Sequence, residues 1–239
     1  MDIVYIIGKG LSRWKYYELL FSIRSLQDNN ILFDNLWIIG YRPLWFNDKI
    51  KYIPYKDIYH NKTSNTIRKI MRICNEEGVS DDFLLMNDDF FFLKNQDIKS
   101  YTNGKLEELY PHKRGKYKNS LLRSIELCNL FRVDTKNYEL HYPIIFNKHK
   151  FHTIFSNIDW IQRPPCYRSV YANYYGVSSE EISEDFKLYN VREFSKLKDG
   201  SFLSTDDNVM LNKKIQEYFK NKFKTRTIYE RDLSYSYII

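Results

Sequence analysis

The stretch Asp82-Phe-Leu-Leu-Met-Asn-Asp-Asp-Phe-Phe-Phe-Leu93 limits the fold more than any other part of the sequence. Its four apolar residues Phe83–Met86 have the continuity of a strand buried on both faces, as in a parallel sheet. Asn87-Asp88-Asp89 closes that strand, and Phe90–Leu93 returns the chain to the core at once. Carboxylates at a buried rim need a partner, and ligands of open α/β sheets bind beyond the carboxyl ends of the strands. The acidic pair therefore reads as a site, with a turn merely shaped by two acids as the plain alternative. On an extended backbone, Asn87 and Asp89 face one way and Asp88 the other.

The segments before this strand supply its neighbours. Residues 3–7 form a short apolar run that stops at Gly8-Lys9-Gly10. Trp14, Tyr17, Leu20, Phe21 and Arg24 follow at helical spacing. Leu36–Ile39 is a second buried strand closed by Gly40, and Lys51–Pro54 a third, placed at an edge by its proline. Ile67, Ile70, Met71 and Cys74 stripe a second helix. Strand, helix, strand, strand, helix, strand is the cadence of a parallel nucleotide-binding sheet.

Beyond Leu93 the pattern loosens. Asn103-Gly104 signals a hairpin, residues 121–131 a helix, and the alternation Tyr138–Tyr142 a strand. Pro164-Pro165 breaks the chain before a helix opened near Arg168. Ser204 or Thr205 is the expected cap of a long helix striped by Leu211, Ile215, Tyr218 and Phe219. The expected organisation is one domain, with residues 1–125 as a nucleotide-binding core and 126–239 as a substrate-facing, helical elaboration.

Composition excludes several classes. An aromatic content of 17% with only 8 Gly describes a packed domain rather than a disordered or low-complexity chain. No apolar run approaches the ~20 residues of a membrane span. The N-terminus opens as a strand without the segments of a signal peptide. Cys74, Cys128 and Cys166 lack paired spacing and read as reduced core thiols, which favours the cytoplasm as the expected location. The histidines and cysteines lack zinc spacing. A net charge of +7 invites a polyanion, DNA or an anionic glycan, although AT-rich codon usage also produces such a composition.

Individual residues carry specific expectations. One of Asp88 and Asp89, with Asp89 as the metal ligand, holds Mg²⁺ or Mn²⁺, hard cations normally shared with substrate phosphates. Arg24 suits a phosphate contact, with a surface pair to Asp28 as its alternative. Gly8 can cradle a nucleotide, and Tyr41, with Pro43 and Trp45, can wall a base or sugar pocket; core packing is the other reading. His141 is either an acid/base or phosphate-binding residue or a satisfied core histidine. Arg168 sits where helix N–H groups favour anions. Asp207 is either a metal or catalytic residue or part of a cap.

The order of motifs resembles the Stealth family, which contains capsular-polysaccharide and lysosomal-targeting sugar-phosphate transferases. The similarity rests on Asp2–Tyr5, Glu18–Leu26 and Asp82–Phe91. It continues weakly through His141-Tyr142-Pro143, Tyr167-Arg168-Ser169 with Tyr171-Ala172, Thr205-Asp206-Asp207 and Tyr229-Glu230. It implies a Rossmann-like nucleotide-sugar transferase (GT-A-like) core with a mostly parallel sheet. It also implies donor phosphates near Arg24, catalysis at Asp88-Asp89, and roles for His141 and Arg168. Two departures matter. Where the family has a catalytic Glu, Thr63–Lys69 offers Asn65 and Arg68 and no acid. The first motif reads Ile-Ile-Gly-Lys-Gly in place of a Trp-Val-Asp ending.

The resulting expectation is a nucleotide-sugar-dependent glycosyltransferase with a UDP-type donor, resembling a compact phage-type relative. Its acceptor is a hydroxyl on a glycan or a modified DNA base, with Arg163–Tyr175 as the expected DNA contacts. Sugar-phosphate transfer and a non-catalytic nucleic-acid-binding role are the alternatives. A phosphodiester hydrolase would need more metal ligands than the sequence assembles.

Overall fold

The protein is described by a computed structural model covering residues 1–8, 14–198 and 200–231. In chain order, the first elements are β1 (Asp2–Ile7), α1 (Tyr17–Asp28), β2 (Leu36–Gly40), β3 (Lys51–Pro54), α2 (Lys62–Cys74), β4 (Asp82–Met86) and β5 (Phe90–Phe92). The middle holds β6 (Tyr101–Thr102), α3 (Leu106–Leu109), α4 (Gly115–Phe131), β7 (Ile144–Asn147), α5 (Lys148–Ser156), α6 (Tyr167–Tyr174) and β8 (Glu180–Glu181). The last are β9 (Lys187–Leu188), α7 (Phe194–Leu197), β10 (Phe202–Thr205), α8 (Asp207–Met210) and α9 (Lys213–Lys222).

Two compact units share these elements. One contains the described residues of Met1–Lys56, Met86–Asp97 and Lys187–Ile239; the other contains Asp57–Leu85 and Ile98–Phe186. The chain passes between them after Lys56, Leu85, Asp97 and Phe186. The chain beyond 126 contributes to both, with its last part returning to the first unit.

In the first unit, the continuous apolar runs of β1 and β2 pair in parallel, Ile3 opposite Leu36 through Ile7 opposite Gly40. β3 adds in parallel to β2. Asp2 is fully buried at the start of β1, where its carboxylate accepts from the Asn35 backbone at 3.0 Å and the Trp37 indole at 2.9 Å. Helix α1 carries Ser22 and Ser25 on its buried face. Both serve β5: Ser22 Oγ donates to the Phe90 carbonyl, and the Phe92 amide donates to Ser25 Oγ at 3.1 Å. These bonds satisfy an edge that would otherwise present unpaired backbone groups. On its other side β5 pairs antiparallel with β10, and β10 pairs in parallel with β9. Phe21, Phe91, Leu203, Met210, Ile215 and Phe219 fill the core beside this small sheet.

In the second unit, β4 pairs antiparallel with β7, Phe83 opposite Phe146. β6 pairs in parallel with β8. Leu106, Leu121 and Cys166 form a core cluster there. All three cysteines are free and buried.

The local expectations need three corrections. Tyr138–Tyr142 is irregular and the strand begins at Ile144; the Leu140 and Tyr142 carbonyls are taken by Arg168 and so are unavailable to a ladder. Asn103-Gly104 is no hairpin, because its flanking strand β6 finds its partner in β8; Gly104, at φ +58, turns the chain toward α3. The last long helix is two helices. Asp206, rather than Ser204 or Thr205, caps α8 through the Asn208 amide, and Asn212 caps α9.

Candidate functional site

The site lies in the first unit, where the chain leaves β4. The backbone does not stay extended: the Phe90 amide donates to the Asn87 carbonyl at 3.3 Å, so Asp88 and Asp89 occupy a turn. The alternation expected of them is lost, and both line one cavity with Trp14, Glu18, Asp207 and Met210. Glu18 comes from the first turn of α1 and Asp207 from the first residue of α8, positions where helix dipoles favour an acid. Turn formation and site formation are thus compatible here.

Asp89 is held by β10 and β9. Its Oδ2 accepts from Ser204 Oγ at 3.0 Å and from Lys187 Nζ at 3.2 Å, while its carbonyl accepts from the Thr205 amide at 3.2 Å. Asp88 acts on Tyr5. Burial pushes the Tyr5 hydroxyl far above its ordinary pKa, and the Asp88 charge adds to that rise against the Ser22 hydrogen bond.

The remaining expected residues of this unit lie elsewhere. Gly8, just beyond β1, gives its carbonyl to the Tyr16 hydroxyl at 2.9 Å, and the Tyr16 ring stacks on Tyr41 with centroids 4.9 Å apart. Gly8 and Tyr41, at the carboxyl ends of neighbouring strands, are therefore joined through Tyr16. Arg24 does not pair with Asp28 and is not part of the cavity lining. It faces Glu230, with Nε to Oε1 at 2.9 Å and Nη2 to Oε2 at 2.5 Å.

Asn65, Arg68, His141 and Arg168 belong to the second unit. Asn65 is buried and pins the loop before α2, accepting from the Ile58 and Tyr59 amides and donating to the Tyr59 carbonyl. Arg68 is half-buried one turn further along α2. His141 Nδ1 stands 2.5 Å from Asp185 Oδ2, and the His141 amide donates to the other oxygen at 2.8 Å. Arg168, buried in the first turn of α6, donates to the carbonyls on either side of His141. The loop bearing His141 is thus held on both sides.

The stretch Arg163–Tyr175 is divided: Arg168 and Tyr171 are buried, Tyr167 and Tyr175 half-buried, and Arg163 and Tyr174 exposed. Tyr171 is buried and accepts from the Asn147 amide, Tyr174 packs edge-on to Phe131, and Arg163 pairs with Glu126. Sequence reasoning gave no site role to Trp14, Glu18, Lys187, Ser204, Met210 or Asp185. Glu18 opens one of the family-like motifs, the one signal that marks it. Lys187 lies 98 positions from Asp89 and carries no motif.

No family model and no curated protein matches the sequence. Solved structures do. Across 97% of this chain and 98% of the other, the fold is similar to that of the galactosyltransferase LgtC in complex with donor and acceptor sugar analogs, with a TM-score of 0.51 at 10% identity. A glycosyltransferase involved in the glycosylation of the major capsid of PBCV-1 is similar at a TM-score of 0.41 and 11% identity, over 94% of this chain and 98% of that one. The glycosyltransferase GlyE of Streptococcus pneumoniae TIGR4 is similar at 0.47 and 10%, over 94% and 60%. The chain has a GT-A-like fold. It is mixed α/β with a mostly parallel central sheet, as the order of its apolar runs led us to expect. The Stealth resemblance finds no matching family model and rests on its motifs. Among the described residues, no helix is long and apolar enough to cross a membrane.

Proposed function

We propose that the protein is a nucleotide-sugar-dependent glycosyltransferase that moves a sugar from a UDP-type donor to an acceptor hydroxyl. One observation carries this reading: Asp88, Asp89, Glu18 and Asp207 line one cavity beyond a strand end, in a chain whose fold is similar to a galactosyltransferase's.

The donor set fits a divalent cation of the Mg²⁺ or Mn²⁺ type. It consists of carboxylates, the hard oxygen ligands such ions take. Among the described residues, no three acidic, histidine or cysteine side chains are arranged to hold a metal by themselves. An ion here would be held by Asp89, with Asp88 beside it, and by the donor's diphosphate, the usual sharing for Mg²⁺. Once bound, it would offset charge on the departing diphosphate. In the transfer, the bond from the sugar's anomeric carbon to the diphosphate oxygen breaks and its electron pair leaves with the nucleoside diphosphate. The acceptor oxygen forms the new bond and its proton passes to a cavity carboxylate.

Sugar-phosphate transfer, implied by the Stealth-like motifs, is the second reading. Against it stands the first half of α2, where the family's acid is replaced and Asn65 is engaged in holding Ile58 and Tyr59. The products separate the two: sugar transfer releases the nucleoside diphosphate, sugar-phosphate transfer the monophosphate. We expect chromatography of reactions with nucleoside-diphosphate sugars to show the diphosphate; the monophosphate as primary product would reverse the ranking.

For the acceptor we propose a polyanion, DNA bearing a hydroxylated base or an anionic glycan. The net charge of +7 supports it. Gel shifts across salt concentrations test the DNA acceptor, since its affinity must fall steeply with salt. Absence of binding at low salt, with and without donor, would leave a glycan or a small molecule.

A further inference from the structure

Lys187 is brought to Asp89, a lining residue of the acidic cavity, by three short strands in register. In β9 it lies opposite Ser204 of β10, and Ser204 lies opposite Phe90 of β5, the residue after Asp89. Both Ser204 Oγ and Lys187 Nζ therefore reach the same oxygen, Asp89 Oδ2. The Lys187 and Asp89 side chains are each only 16% exposed. A lysine so far withdrawn from water has lost hydration and rotamer freedom, and the Asp89 carboxylate compensates that loss.

The consequence concerns what else can bind. The cavity lining contains the carboxylates of Glu18, Asp88, Asp89 and Asp207, and Lys187 already supplies a positive charge to one of them. A divalent ion approaching Asp89 meets that ammonium at short range, in surroundings less screened than bulk water. An anionic diphosphate changes the balance, because it brings phosphate oxygens that can receive both the ion and the lysine.

We infer that Lys187 guards the cavity, keeping a divalent ion off Asp89 until a donor diphosphate draws the ammonium away, so that metal and donor bind together. This role rests on the nucleotide-sugar reading above. Coupling of this kind is reciprocal: whatever factor the diphosphate adds to metal affinity, the metal adds to diphosphate affinity.

The test is Mn²⁺ binding by the full chain, read by calorimetry and electron paramagnetic resonance, with and without UDP. Wild type is expected to bind Mn²⁺ weakly alone and at least about tenfold more tightly with UDP. Lys187→Met, which keeps the length of the side chain without its charge, is expected to bind Mn²⁺ alone about tenfold more tightly than wild type and to gain less from UDP. Lys187→Arg, which keeps the charge, stays near wild type. Adding Asp89→Asn to Lys187→Met removes the gain, placing it at that carboxylate. Thermal unfolding of each variant verifies that it is folded. Equal Mn²⁺ affinity of Lys187→Met and wild type without nucleotide overturns the guard. UDP that binds no variant defeats the donor coupling and the nucleotide-sugar reading together, while the metal-alone comparison still decides whether Lys187 excludes the ion.

Discussion

Arg24 and Glu230, 206 positions apart, meet as a two-pronged ion pair in which Nε and Nη2 each address one carboxylate oxygen. Their side chains are 10% and 5% exposed. Arg24 also donates to the Phe223 carbonyl, and the Thr227 amide donates to Glu230. The pair thus ties α1 to the last described turn of the chain. Deleting one partner strands a buried charge. Glu230→Ala is expected to cost about 3–5 kcal/mol, whereas replacing both residues together with Met and Leu should recover much of that loss. Urea denaturation reads both, and an unchanged midpoint for Glu230→Ala would remove the pair from the list of clamps.

Thr205 offers the opposite sign. It is 1% exposed in β10, and its hydroxyl has no hydrogen-bond partner among the described residues. A buried hydroxyl without a partner is a cost, and valine keeps the branched shape that suits a strand. Thr205→Val is expected to stabilise the protein by about 1 kcal/mol. A loss of stability instead would mean that the hydroxyl is satisfied in solution.

How far the sequence could be read follows from the range of each interaction. β1, β2, β3 and β4 are legible because each is a short apolar or edge run closed by Gly, Pro or Asn, all local signals. Asp88-Asp89 is legible as a candidate site because an acidic pair between two apolar runs is unusual wherever it occurs. Their geometry was not: whether the chain extends or turns after Met86 depends on the Asn87–Phe90 bond and on how β5 is held by Ser22 and Ser25 of α1. Lys187 was invisible because a two-residue strand has no period, and its partner is fixed by register across β10. The alternation at Tyr138–Tyr142 misled for a related reason, since a buried guanidinium from α6 competes for the carbonyls a strand would need.

Gly40 marks a close approach at the strand ends. Its φ is +119, and a Cβ there would lie 2.0 Å from the Ile7 carbonyl oxygen. The same oxygen accepts from the Tyr41 amide at 3.2 Å. Gly40→Ala therefore combines strained backbone, about 1–3 kcal/mol, with a clash that parts β1 from β2. We expect a destabilised protein in chemical denaturation and a disturbed Tyr16–Tyr41 stack; a fully stable alanine variant would contradict the backbone path described.

Asp185 links stability to pH. Burial pushes its carboxyl up, but the hydrogen bond and charge of His141, with the His141 and Phe186 amides, outweigh burial and leave it below the ordinary carboxylate range. A depressed carboxylate contributes stability that is present above its unfolded pKa, about 4, and is lost as pH falls through the folded value. The gap in melting temperature between wild type and Asp185→Asn should therefore close progressively as pH falls below about 4. A gap that persists unchanged into strong acid would assign the effect to packing.

Asp89 is where structure and chemistry are hardest to separate, because the same carboxylate oxygen holds Ser204 and Lys187. Alanine removes both bonds; asparagine keeps an oxygen for the serine and loses only the charge. If Asp89 works through charge, at a divalent ion shared with the donor, the two variants fail alike in catalysis and differ in stability. We expect each to lose at least about 100-fold in turnover, the scale of a removed electrostatic stabiliser. Asp89→Asn, which leaves Lys187 without its counter-charge, should melt below wild type, and Asp89→Ala lower still. Calorimetry supplies a check that needs no acceptor: wild type should bind nucleotide diphosphate more tightly with Mn²⁺ than without, and both variants should lose that difference. Nucleotide affinity indifferent to the ion in wild type and variants alike would falsify the assignment of a cation to this turn, leaving the Asp88–Asp89 pair as a turn that happens to line a cavity.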